Sequence, residues 1–136
     1  MRLVFRLVLN YRLQEMKAKK HLGQNFLHDK GVLHSIVEAG EIKDTDTVIE
    51  VGPGEGFLTK ELLQRAGKVL AVEKDNDLIP FLKIDFKSFK NFELTEADAL
   101  KWDPPKEPYK VIANIPYYIT SPLLNHFLKE QFISGN

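Results

Sequence analysis

A chain of 136 residues, 43% hydrophobic and with a formal net charge of zero, is long enough for one modest domain with a single core and too short for two. Without cysteine it can build neither a disulfide frame nor a thiolate metal site, and no apolar run is long enough to span a bilayer. The charge balance hides an asymmetry: residues 1–30 hold seven Lys or Arg against Glu15 and Asp29, a surplus of five that the remainder offsets. A basic arm on a neutral body hints at an anionic partner, and equally describes a solvated basic face.

The first fifteen residues, beginning MRLVFRLVLNYRL, are apolar, punctuated by arginine and free of acid until Glu15. Residues 1–16 therefore read as a leader, either a short organelle presequence or a stretch ahead of a start at Met16, which opens onto a basic segment. Lys17, Lys19, Lys20 and His21 come next, then a glycine hinge and the amides Gln24 and Asn25 ahead of Phe26 and Leu27. Amides flanked by apolar residues suit hydrogen bonding to a polar ligand at the edge of a core. Val32, Leu33, Ile36 and Val37 share one face of a helix predicted over residues 31–39.

The stretch TVIEVGPGEG, Thr47 to Gly56, is the one around which the remaining elements are organised. Its β-branched residues Thr47, Val48, Ile49 and Val51 predict a buried parallel strand, and Gly52, Gly54 and Gly56 allow a sharp turn. Phe57, Leu58, Glu61, Leu62 and Ala66 then recur at helical spacing, with Gly67 placed as the C-terminal cap. Strand, glycine turn and helix in that order form a ligand cradle at the carboxyl end of a first parallel strand. A second strand, KVLAV, ends on Glu73, where a carboxylate can accept from the two hydroxyls of a ribose.

A helix is predicted from Asp75 to Phe86 with Leu78, Phe81 and Leu82 facing inward, and Pro80 must lie in its first turn or bend it. Phe92 to Thr95 predicts a third strand, and Asp98 beyond it could accept from the exocyclic amine of an adenine. After the loop WDPPKEP comes a fourth strand, YKVIA, running into Asn114-Ile115-Pro116-Tyr117-Tyr118, and a helix from about Leu123. Strands alternating with helices predict an α/β, doubly wound parallel sheet. The glycine spacing departs from the dinucleotide pattern, because Phe57 stands where that pattern needs a small residue, and this argues against a nicotinamide oxidoreductase. A glycine turn succeeded by acids for ribose and adenine, with no phosphate to hold, fits S-adenosylmethionine. Asp103-Pro104-Pro105 is read as a loop, His21, His28, His34 and His126 show no metal-ligand pairing, and Phe86, Phe89 and Phe92 are assigned to the core.

Five segments carry a resemblance: LGQNFL at Leu22–Leu27, EVGPGEG at Glu50–Gly56, AVE at Ala71–Glu73, DAL at Asp98–Leu100 and NIPYYITSPLL at Asn114–Leu124. In this order they resemble the ribosomal RNA adenine N6-methyltransferases, in particular the small-subunit dimethyladenosine transferases. The resemblance implies a Rossmann-like fold dependent on S-adenosylmethionine, with residues 17–136 as the N-terminal part of the methyltransferase domain and a truncated parallel sheet. It implies dimethylation of adenine N6 in ribosomal RNA of the small subunit, in a cytoplasmic enzyme that is monomeric when complete and binds neither membrane nor metal. Asn25, Leu27, Gly52, Gly54, Glu73, Asp98, Ala99 and Asn114 would surround the cofactor, with Leu100 packing nearby. Asn114, Ile115, Pro116 and Tyr117 would form the catalytic set. Where that family carries seven strands and a helical domain, four strands are predicted here, so the fourth is expected to be an exposed apolar edge. The alternative is a non-catalytic RNA- or cofactor-binding module of the same fold that serves ribosome assembly.

Overall fold

A computed structural model of the chain describes residues 4–5, 29–113, 122–127 and 129. Its elements in order are β1 (Val4–Phe5), α1 (Lys30–Gly40), β2 (Thr47–Val51), α2 (Phe57–Leu63), β3 (Lys68–Glu73), α3 (Ile79–Asp85), β4 (Phe92–Glu96) and β5 (Lys110–Ala113). A last helix, α4, occupies residues 122–127. The strands form one parallel sheet in the order β1-β5-β2-β3-β4. Parallel neighbours need crossovers; the connecting helices α1, α2 and α3 lie on one face of the sheet, and α4 covers the other.

Alternation along each strand sorts its side chains between two cores. Val48, Val69 and Ile112 pack with α1, α2 and α3 through Leu33, Ile36, Leu58, Leu62, Leu82 and Phe86. Ile49, Val51, Leu70, Val72, Val111 and Ala113 face the other way, against Tyr109, Leu123 and Phe127. The register sets Val51 against Val72 and Ala113, and Glu73 against Glu96, so the strands finish together and their carboxyl ends form one rim.

Local chemistry accounts for the helix ends. Asp29 caps α1 by accepting from the backbone N–H of Gly31 and Val32, and Glu41 closes it in the left-handed region. Pro80 lies in the first turn of α3, where the missing N–H costs nothing. Phe86 is buried, and Phe89 and Phe92 pack against the same core, as the sequence predicts.

Several expectations are corrected. The second helix ends at Leu63, short of Gly67, and Gly67 has a different task. A Cβ there would lie 2.4 Å from the Asp44 carbonyl oxygen, so glycine is required for the close approach of two loops. Phe81, expected to face inward, is 67% exposed, because α3 starts only at Ile79 and the core takes Ile79, Leu82 and Phe86 instead. The edge of β5 is not left open: Val4 and Phe5 pair with Lys110 and Val111 as a fifth parallel strand.

Candidate active site

The glycine turn lies on the rim just beyond β2. Gly52, Gly54 and Gly56 all have positive φ, at 72°, 60° and 91°, a region that L-residues with side chains populate poorly. At Gly56 a Cβ would sit 2.7 Å from the Phe86 ring, so this glycine lets α2 settle on the core. At Gly54 a Cβ would meet nothing within 4 Å, which leaves open space over the turn. The Gly52 N–H donates to the Val72 carbonyl at 3.0 Å, fastening the turn to the end of β3.

Glu73, the last residue of β3, is 7% exposed. Its Oε1 accepts from the Gly54 N–H and its Oε2 from the Asp75 N–H, each at 3.1 Å. These bonds aim the carboxylate along the rim, and each oxygen keeps a further lone pair for a ligand hydroxyl. Asp98 comes next on the same rim, because the Ala97 N–H donates to the Glu73 carbonyl at 3.0 Å. Its Oδ1 accepts from the Leu100 N–H at 3.0 Å, which makes it a turn former with its second oxygen available. Ala99 is buried and Leu100 partly buried beside it, in the core under the rim.

Of the sequence-predicted site, Gly52, Gly54, Glu73, Asp98 and Ala99 are thus brought to one rim. Asn25, Leu27, Asn114, Ile115, Pro116 and Tyr117 lie outside the described residues, although Asn114 directly succeeds β5, whose end belongs to that rim.

Sequence reasoning gives Glu50 and Thr59 no role. Glu50 is 1% exposed, and its Oε1 accepts from the Thr59 hydroxyl of α2 at 2.5 Å. Burial pushes its carboxyl up to about 7; the Thr59 hydrogen bond opposes this and the facing Glu73 carboxylate adds to it. A signal was available, since Glu50 is the one charged residue within the apolar run Val48-Ile49-Glu50-Val51.

A parallel sheet with a glycine turn after one strand and an acid at the end of the next defines a Rossmann-like fold, and the methyltransferases among its solved structures give the class. Solved structures of that class match it. The 23S rRNA methyltransferase ErmE superposes with a TM-score of 0.72 and 39% identity over 78% of this chain and 43% of its own. A dimethyladenosine transferase from Plasmodium falciparum does so with 0.66 and 38%, over 74% and 37%. The model of the ribosomal RNA adenine dimethylase family matches residues 15–135, and the chain belongs to that family. A ribosomal RNA small subunit methyltransferase A of Clostridium botulinum is 51% identical over 122 residues, covering 86% of this chain. Its counterpart in Dehalococcoides mccartyi is 54% identical over 119 residues, covering 84%. The chain spans 44% and 41% of the lengths of these two relatives.

Proposed function

We propose that this chain carries the cofactor-binding part of an adenine N6 dimethyltransferase that modifies small-subunit ribosomal RNA, with S-adenosylmethionine as the methyl donor. The observation that carries the reading is the convergence of the glycine turn, Glu73 and Asp98 on one rim, in a chain whose family is named for this reaction. The fit is chemical as well as positional. Glu73 offers two acceptor oxygens to a pair of ribose hydroxyls, Asp98 offers one to an adenine amine, and the open face of Gly54 lets a ligand lie against bare backbone.

The cofactor supplies an electrophilic methyl group on sulfur; the protein must make a poor nucleophile usable. The N6 lone pair of adenine is delocalised into the ring. The Asn114 side-chain oxygen and the Ile115 carbonyl would each accept one N6 hydrogen, which localises that lone pair for in-line attack. Pro116 removes a donor and restricts the residue before it, and Tyr117 would stack on the extruded base. Positioning then supplies most of the catalysis, with no general base needed before attack. Asn25 and Leu27 would close the methionine end.

The substrate is ribosomal RNA of a small-subunit precursor, and the seven Lys or Arg among residues 1–30 suit a polyanion. Among the described residues no helix is long and apolar enough to cross a membrane. The complete protein, on this reading, works in the cytoplasm as a monomer without a metal requirement.

Calorimetric titration with S-adenosylmethionine, with circular dichroism on the same sample, tests the cofactor assignment. Binding is expected, and Glu73→Ala should weaken it by about 1–3 kcal/mol through loss of a charged hydrogen-bond acceptor. A folded chain that binds nothing refutes the assignment. RNA binding that survives Asn114→Ala, with no methyl transfer by a longer form spanning the relatives' full length, would favour the assembly-module alternative.

A further inference from the structure

The cofactor reading employs Glu73 and Asp98 and leaves the more deeply buried acid, Glu50, without a task. Glu50 is in register with Ala71 of β3 and Ile112 of β5, two residues ahead of Gly52. Its partner Thr59 is fully buried in α2. Their hydrogen bond therefore closes the glycine turn from beneath, returning the chain to the strand it left nine residues earlier. From the other side the turn is tied to β3 by the Gly54 N–H on Glu73. Three residues with glycine's wide conformational freedom are thus held between two acids on neighbouring strands.

We propose that Glu50 is a positioning residue of the ligand pocket: through Thr59 it sets the depth of the glycine turn against the end of β2, and with it the fit of the bound cofactor. The inference rests on the cofactor reading above.

The role imposes a protonation state. Among the described residues the charged group facing Glu50 is Glu73 on β3; α2 presents the neutral Thr59, and the registered neighbours Ala71 and Ile112 are apolar. Neutral Glu50 accepts from Thr59 without repelling Glu73. Ionised Glu50 places a second negative charge behind the ribose acceptor, and a ligand that expels water from the pocket strengthens that repulsion. Binding of a ligand with no charge on sulfur therefore opposes ionisation, and its affinity falls as pH rises through about 7.

The test is calorimetric titration of the full 136-residue chain with S-adenosylhomocysteine at pH 6 and pH 8, for the unmodified protein, Glu50→Gln, Glu50→Leu and Thr59→Val. The unmodified chain should lose up to about tenfold in affinity between the two pH values, the equivalent of one pKa unit. Glu50→Gln keeps the acceptor for Thr59, so it should match the unmodified chain at pH 6 and lose the pH dependence. Thr59→Val and Glu50→Leu should each bind about tenfold more weakly at pH 6, from loss of one buried hydrogen bond. Thr59→Val binding like the unmodified chain, or Glu50→Gln retaining the pH dependence, overturns the positioning role alone. Failure of the unmodified, folded chain to bind at either pH overturns the cofactor reading and this inference together.

Discussion

The two ends of the sheet are built from opposite materials. β4, at one end, exposes Glu93, Thr95 and Glu96 and buries only part of Phe92 and Leu94. β5, next to the other end, buries Val111, Ile112 and Ala113 completely, with Ile112 toward α1 and α2 and the other two toward α4. Charged side chains protect a natural edge from pairing with another chain, and β4 exposes two, Glu93 and Glu96. β5 carries no charge beyond Lys110 at its start, yet its ladder partner on the outer side is the two-residue β1. The difference teaches that the faces of a strand and its hydrogen-bonding edge are covered independently. β5 has the side chains of a central strand whatever lies beside its backbone.

The largest expected contrast comes from placing the same charge at each end. Ile112→Asp should cost at least about 4 kcal/mol, since it exchanges buried apolar volume for a buried charge. Thr95→Asp on β4 should stay within about 0.5 kcal/mol; urea denaturation of the two variants checks both. Next is pH. The dry interior that makes β5 a core strand also surrounds Glu50, whose folded value of about 7 lies above the ordinary 4.5. A raised carboxyl holds its proton longer in the folded than in the unfolded chain. Its contribution is therefore fully present below pH 4.5 and lost as pH rises to about 7, by roughly 3 kcal/mol. Stability measured against pH should show this decline, and Glu50→Gln should flatten it.

Removing residues 1–9 breaks the comparison at its weakest point. It strips β1 from Lys110 and Val111, should lower stability by about 1–2 kcal/mol, and should promote self-association through the freed edge, read by light scattering. A chain that stays monomeric with unchanged stability would show that β1 protects nothing. A smaller effect is expected at the start of β5, where the Lys110 ammonium donates to the Glu41 carbonyl at 2.7 Å and pairs with Asp46 at 2.8 Å. Lys110 and Asp46 are both partly buried, and Lys110→Met should cost about 1 kcal/mol. The smallest is on the β4 side, where Lys68 and Glu93 form an exposed pair at 3.1 Å. Lys68→Ala should change stability by no more than about 0.5 kcal/mol, and less in high salt.

What the sequence alone determined is what depends on near neighbours along the chain. β-branched residues mark β2, β3 and β5, apolar residues at helical spacing mark α1 and α2, and three glycines mark the turn, because each preference acts within a few residues. The placing of Glu73 and Asp98 beside the glycine turn was legible too: strand ends in a parallel sheet share one rim, so position along the chain translates into position in space. Tertiary structure alone decided the rest. The pairing of Val4–Phe5 with Lys110–Val111 joins segments more than a hundred residues apart, and nothing in the arginine-punctuated opening stretch announces it. Phe81 has helical spacing, yet α3 starts at Ile79 and turns Ile79 and Leu82 into the core, which leaves Phe81 exposed. Glu50 could be noticed as an acid in an apolar strand. Its role waited on knowing that Thr59 stands over it and Glu73 faces it, since the charge a buried carboxyl carries is set by the groups folding brings to it.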